Sequence, residues 1–355
     1  MKGLILSGGR GTRLRPLTHT SAKQLIPVAN RPVLFFGLEA MHRAGIAEVG
    51  IVVGDTHADI ESAVGNGSQW GLHVEYIHQE APLGLAHAVL CAEEYLGDEP
   101  FVMYLGDNLI LGGITNFVHH FLTHRPSSLI LLAHVRNPQQ FGVAELDASG
   151  RVTRLVEKPK QPKSDLALVG VYLFDHSIFD ACKAIRPSGR NELEITDAIQ
   201  HLIEHGLRVD AHLVEGWWKD TGRLEDMLEA NRMILDSLEP AMHGHVDEVS
   251  DIHGKVIIES GARIARSTLR GPLIIGENTE IFDSFIGPFT AIGSGCRVEG
   301  SEIEHSIVLS DSSILHVGSR IEDSLIGRNA CIVKSNGRPS AYRVMVGDHS
   351  RVEIR

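Results

Sequence analysis

The chain has 355 residues, 43% hydrophobic and 22% charged, enough to bury a substantial core and to form two domains. A formal charge of -12 argues against a general nucleic-acid surface, so its basic clusters are local features suited to a small anion. Four dispersed cysteines (Cys91, Cys182, Cys296 and Cys331) with no CxxC pair suggest neither a zinc cluster nor a disulfide scaffold and fit a reducing cytoplasm; no charged leader and no apolar run of ~20 residues points to secretion or a membrane span.

In chain order, the apolar run KGLIL at 2–6 predicts a first strand, followed at once by SGGRGTRLRPLTHTSAKQLIPVANRP. Gly8, Gly9 and Gly11 allow the backbone to approach a polyphosphate and turn its N–H groups inward, while Arg10, Arg13 and Arg15 supply charge. A glycine-rich turn with solvated arginines is the alternative that glycines alone leave open. The loop lacks the GK[ST] ending of a P-loop, and its spacing is not the GxGxxG of dinucleotide folds. Strands are next predicted at VGIVV, FVMYL and SLILLAHV. Between them PVLFFGLEAMHRAG, GLAHAVLCAEEYLG and ITNFVHHFLTH have helical spacing, the first two ending at a glycine suited to a C-cap. The alternation predicts an α/β sandwich with a mostly parallel sheet, whose ligands bind at the carboxyl ends of its strands.

TGRLEDMLEANRMILDSLEP predicts a long helix, and MHGHVDE a join; the domain boundary is placed near Ala241. Beyond Val256 a six-residue unit recurs, as IGENTEI at 275, IGPFTAI at 286, IGSGCRV at 292, IGRNACI at 326 and VGDHSRV at 346. That period predicts a parallel β-helix, each turn stacking its aliphatic residue on the next.

GGRGTRLRPLT followed by AKQLIPVANRP resembles the signature of sugar-nucleotide pyrophosphorylases. The resemblance continues through QEAPLGLAHA at 79, YLGDN at 104, FGVAELD at 141, VEKPKQP at 156, NELEITD at 191 and WWKDTG at 217. It implies a Rossmann-like nucleotidyltransferase α/β/α catalytic domain over 1–240, with a left-handed parallel β-helix over 241–355. Lys23-Gln24, the chain length and the appended repeats are similar to the long-form glucose-1-phosphate thymidylyltransferases of deoxysugar pathways. The implied activity is transfer of a thymidylyl group from dTTP to glucose 1-phosphate, giving dTDP-glucose and pyrophosphate. A uridylyltransferase, or a bifunctional enzyme whose β-helix also transfers an acyl group, are the alternatives.

The same resemblance implies the site. Arg13 and Lys23 would hold the phosphates and Lys158 the sugar phosphate. Leu6, Gly8, Gly9, Gly11, Thr12, Gln24, Gln79, Pro82, Gly84 and Asp107 would border the nucleotide. Asn108, Gly142, Glu157, Val169 and Trp218 would border the sugar, with Glu192 and Glu194 as weaker candidates. Asp107 and Asp220, expected at strand ends facing the site, would bind Mg²⁺, a hard ion that prefers carboxylate oxygen. Of the 20 histidines, His19 and the pair His119 and His120 show no metal-ligand spacing, and no Ser-His-Asp or Cys-His grouping is evident. His305 and His316 lie within the repeats, where an acyltransferase would need a base, but a structural, subunit-contacting role for the β-helix is expected instead. A chain cut near Ala241 is then expected to change oligomeric mass and keep measurable activity. No nucleic acid or membrane partner is expected, and a homo-oligomer is.

Overall fold

The computed structural model describes residues 1–353 apart from Arg10, Thr20, 335–343, Met345 and Gly347, so one arginine of the basic loop and the glycine of the repeat at 346 lie outside the described residues. The chain divides into two compact units, Met1–Arg10 with Val33–Asp220, and Gly11–Pro32 with Thr221–Arg355.

In the first unit β1 (Lys2–Leu6), α1 (Val33–Arg43), β2 (Glu48–Val53), α2 (His57–Val64), β3 (His73–His78), α3 (Leu85–Cys91) and β4 (Phe101–Leu105) follow one another. Strands β2 and β4 flank β1 and run parallel to it, and β3 runs parallel to β2. The helix predicted over 84–97 breaks at Ala92 into α3 and a short turn of helix, Glu93–Leu96, and the predicted end glycines take positive φ, Gly45 at 75° and Gly97 at 59°, positions that a side chain would strain.

The remainder of the sheet departs from the parallel pattern. After β5 (Asn108–Ile110) and α4 (Thr115–His124) come β6 (Ser128–His134), β7 (Gly142–Leu146), β8 (Val152–Glu157) and β9 (Leu166–Phe174). Strand β9 runs antiparallel to β4, β6 and β7. The run SLILLAHV, expected in a mostly parallel sheet, is therefore antiparallel to β9 and parallel only to β10 (Val209–Leu213). Buried on nearly every residue, β9 reads as a continuous apolar stretch, and such a stretch does not encode strand direction. Its register shifts between Leu168 and Tyr172, so its first half reaches β7 while its second half pairs with β4. Helices α5 (Ser177–Ala184) and α6 (Ile195–Glu204) and strand β11 (Trp218–Asp220) complete the unit, β11 pairing antiparallel with β5. The core is aliphatic and aromatic, with Leu4, Val52, Phe101, Met103, Ile130 and Phe174 all fully buried.

The second unit contains residues 11–32 of the basic loop, α7 (Leu224–Ser237) and a three-sided parallel β-helix of left-handed hexapeptide type that begins with the strand Ala241–Met242. One side stacks Val256–Ile258, Leu273–Ile275, Thr290–Ile292, Ile307–Val308 and Leu325–Ile326. The others begin at His245–Val246 and Asp251–His253, and every pairing is parallel. Ile258, Ile275 and Ile292 form one buried column, and Ile264, Ile281, Val298 and Ile314 another, as the six-residue period demands. Leu269, Ile286 and Ile303 form a third. A further column is polar: Ser250, Ser267, Ser284 and Ser301 lie 17 residues apart, the first three hydroxyls each accepting the backbone N–H of the next serine at 3.1–3.2 Å and the last accepting Val317 N–H at 3.0 Å. Among the described residues no helix is long and apolar enough to cross a membrane.

Candidate active site

The carboxyl ends of β1, β2 and β3 meet at two glycines. Ser7 N–H donates to Val52 O at 2.8 Å and Gln79 N–H to Val53 O at 2.9 Å, which carries the loop after β1 across β2. A methyl group on Gly8 would stand 3.2 Å from Gln79 Oε1, and one on Gly54 would stand 3.2 Å from Gly8 O, so a side chain at either position would crowd its neighbour. Gln79 is held in turn, its Nε2 lying 3.3 Å from Gly84 O and 2.9 Å from His87 Nδ1. Gly84 has φ 107°, and a Cβ there would fall 2.4 Å from Leu193 O; Leu193 N–H donates to Leu83 O at 2.7 Å. The motifs at 79 and 191 thus join backbone to backbone. Leu6 is buried, Pro82 exposed, and Gly9 exposed.

The two aspartates come together on paired strands. Asp220 ends β11 and stands opposite Asn108, the first residue of β5, which follows Asp107 directly. Asp107 and Asn108 are 9% and 2% exposed. Asn108 Nδ2 donates to Asp107 Oδ1 at 3.0 Å, and the Trp218 indole N–H donates to Asn108 Oδ1 at 2.6 Å. Trp218, expected at the sugar, therefore also fixes the amide that holds Asp107, while its ring meets Phe141 edge-on at 5.5 Å. Gly170, within the shifted stretch of β9, makes room for that amide: a Cβ there would lie 2.7 Å from Asn108 Cγ. Its neighbour Val169, expected at the sugar, is fully buried, main chain included. Burial, and then the charge of Asp107, raise the Tyr104 phenol, whose hydroxyl donates to Asn108 O at 3.1 Å.

Around Lys158 the first unit gathers charge. Lys158 adopts φ 42°, an outlier for a long side chain, with its N–H on Phe141 O at 3.0 Å and its Nζ 3.3 Å from Glu157 Oε1. Gly142 allows this packing, since a Cβ there would approach Thr196 Cγ2 to 2.6 Å and Glu157 Oε2 to 3.1 Å. Arg190, which sequence reasoning missed, sits at the hub: its Nη2 lies 3.2 Å from Glu157, 3.3 Å from Glu192 and 2.8 Å from both oxygens of Glu194. Burial pulls its guanidinium down, but the hydrogen bond and charges of Glu194, with Glu192 and Glu157, leave it raised.

In the second unit Gly11 takes φ 59°, where a Cβ would approach Lys23 Cβ to 2.8 Å and Thr18 Cγ2 to 2.9 Å. Short 3-10 turns over Thr12–Leu14 and Lys23–Leu25 carry Thr12 and Arg13, both exposed, and Lys23. Gln24 is 1% exposed, and its Oε1 has no hydrogen-bond partner among the described residues. In the β-helix His305 Nδ1 lies 2.5 Å from Asp323 Oδ1, and His316 Nε2 lies 3.6 Å from Glu299 Oε1; both histidines occupy corners of positive φ.

A family model for nucleotidyl transferases matches residues 2–237. The chain belongs to that family. It is 57% identical over 356 residues to a glucose-1-phosphate thymidylyltransferase of Streptomyces antibioticus, covering all of both chains. A second, from Streptomyces griseus, is 54% identical and covers 100% of this chain and 99% of its own. A Bacillus anthracis crystal structure, assigned as a glucose-1-phosphate thymidylyltransferase and complexed with a sucrose, superposes with a TM-score of 0.63 at 33% identity, covering 68% of this chain and 98% of that one.

Nucleotidyltransferases of this family generally use a divalent metal. Asp107, buried just before β5, and Asp220, half-buried at the end of the paired β11, are two hard carboxylates of the kind Mg²⁺ prefers, so the donor set fits. Among the described residues no cluster of three or more His, Cys, Asp or Glu side chains suits a metal. Two protein carboxylates plus substrate phosphates is the arrangement expected of Mg²⁺ in phosphoryl transfer.

Proposed function

We propose that the protein transfers a thymidylyl group from dTTP to glucose 1-phosphate, with residues 1–240 as the catalytic domain. The geometric observation that carries this reading is the pairing of β5 with β11, which sets Asp220 opposite Asn108, one residue from Asp107. Full-length identity to proteins named for this activity supports it.

A phosphate oxygen of glucose 1-phosphate attacks the α-phosphorus of dTTP as the bond from that phosphorus to the bridging oxygen breaks; pyrophosphate leaves with the electron pair, and no covalent enzyme intermediate forms. Such a reaction is catalysed by aligning two anions and neutralising the charge that develops between them. Arg13 and Lys23 hold the triphosphate, and the main-chain N–H groups of Gly8, Gly9 and Gly11 with Thr12 line its path. Gln24 and Gln79 read the base edge, a role supported by the buried carboxamide oxygen of Gln24, which would accept from thymine N3–H. Lys158 meets the sugar phosphate, while Glu157, held by Arg190 and Thr196, accepts from a sugar hydroxyl. When bound at Asp107 and Asp220, Mg²⁺ supplies positive charge for phosphate oxygens. We place the enzyme in the cytoplasm, its cysteines as free thiols, and assign subunit contacts to the β-helix.

Pyrophosphate release by the full chain, with dTTP, glucose 1-phosphate and Mg²⁺ omitted in turn, tests the reading. Release is expected only from the complete mixture. Release without glucose 1-phosphate would show triphosphate hydrolysis instead and contradict it.

A further inference from the structure

Residues 11–32 of the basic loop belong to the same unit as the β-helix, and three amide hydrogen bonds help tie them to it. Asn231, on α7, is fully buried, and both ends of its carboxamide are engaged. Its Oδ1 accepts Ala29 N–H at 2.8 Å, and its Nδ2 donates to Phe289 O, in a corner of the β-helix, also at 2.8 Å. Asn30 Nδ2 donates to Ile292 O at 2.8 Å. Ala29 and Asn30 take φ 46° and 60°, closing the turn between the two-residue strands Pro27–Val28 and Arg31–Pro32. Apolar packing alone would hold the two segments together without fixing where the turn sits. Amides paired to main-chain N–H and C=O groups do fix it, because any slip leaves buried polar groups unsatisfied.

This turn closes the segment that begins at Gly11. Inside the loop Thr18 Oγ1 donates to Gly11 O at 2.7 Å, and a Cβ on Gly327 of the β-helix would stand 3.1 Å from Leu17 Cδ2. Each end of the segment carrying Arg13, Lys23 and Gln24 is thereby tied either to itself or to the coils.

We infer that the β-helix buttresses the phosphate-binding loop, and that Asn231 and Asn30 are positioning residues which set the conformation of residues 11–32. The inference rests on the reading that this loop binds the triphosphate. The coils then have a part in catalysis without touching substrate, beside any role in assembly.

The test uses the full chain and three variants, N231A, N231D and N30A. N231D keeps the acceptor for Ala29 N–H and loses the donor to Phe289 O, and half-buried Asn30 can be truncated with little risk to folding. Two quantities are measured: amide hydrogen exchange without substrate, and steady-state kinetics. The expected exchange result is faster exchange confined to residues 11–32, with coils beyond residue 300 unchanged. The expected kinetic result is a loss in kcat/KM for dTTP of about 10- to 100-fold in N231A, as for misplaced catalytic groups, and a smaller loss in N231D and N30A, while KM for glucose 1-phosphate moves less. Wild-type exchange and wild-type KM for dTTP in N30A and N231D would overturn the inference. Uniformly faster exchange through the unit would also overturn it, showing a structural role only. Should the wild-type chain turn over no dTTP, the proposed function fails, while the exchange data still decide whether the coils order the loop.

Discussion

Asp107 shows how much of a single residue's role lies outside its motif. YLGDN and WWKDTG mark Asp107 and Asp220 in the sequence, but the relay from Trp218 through Asn108 joins residues 110 apart and forms only when β11 pairs with β5. Arg190 went unread for a similar reason, since its partners Glu157 and Glu194 lie on different elements. We expect Asp107→Asn to lower kcat by at least about 10²-fold, as removal of a preorganised charge does, with a steeper Mg²⁺ requirement. Trp218→Phe keeps a ring against Phe141 and loses the N–H, so Mn²⁺ binding without nucleotide, followed by electron paramagnetic resonance, is expected to weaken about 10-fold, the usual effect of an outer partner. Asp197 gives a prediction for pH. Burial first, and then the charges of Glu194 and Glu157, hold its carboxyl above the ordinary range. A carboxyl raised in the folded state stabilises the fold below its unfolded value, and that contribution is lost as pH rises through the raised value. Asp197→Asn should therefore melt higher than the wild type at about pH 7, with the gain shrinking below about pH 4, the ordinary aspartate value. A gain independent of pH would remove the electrostatic explanation.

At the scale of elements, the sequence pattern revealed β1, β2, β4 and β6, the helical stretches around α1, α3, α4 and α7, and the coil repeat, because each carries an apolar run, face or column. It did not reveal β3, β7, β8, β9 or β10, nor the helices α2, α5 and α6; around β8 and β9 register shifts and partner changes leave no periodic trace. The serine column also escaped, since a 17-residue interval carries no signal at the six-residue period. Ser284→Ala would leave the buried Ser301 N–H without its acceptor, at a cost of about 1–3 kcal/mol. Chemical denaturation should show that loss while kcat for thymidylyl transfer stays at the wild-type value. Gly84→Ala places a methyl group against Leu193 O at positive φ and should cost about 1–3 kcal/mol of backbone strain. Because the strained peptide joins the motifs at 79 and 191, KM for dTTP should rise with it; an unchanged melt and KM would show that the loop relaxes freely.

Across the whole molecule, the fold class and the family were legible from the signature and the repeats, whereas the grouping of residues 11–32 with the β-helix was not. Two asparagines and a turn contribute to that grouping, and none of them carries a periodic or motif signal. It alters the expectation for a chain cut near Ala241, which loses Phe289 and Ile292, the main-chain partners of Asn231 and Asn30. Such a chain should lose kcat/KM for dTTP as N231A does, in addition to any change in oligomeric mass. The central claim is thymidylyl transfer, and nucleotide choice tests it most directly. One methyl group separates thymine from uracil, and contacts of that size discriminate by about 10- to 200-fold. The decisive measurement is kcat/KM for dTTP, UTP, GTP and ATP, each with glucose 1-phosphate and Mg²⁺, with the sugar-nucleotide product identified. The account predicts dTDP-glucose as the best product with UTP a poor but detectable substrate; a preference for GTP or ATP, or no sugar nucleotide from dTTP, would contradict it.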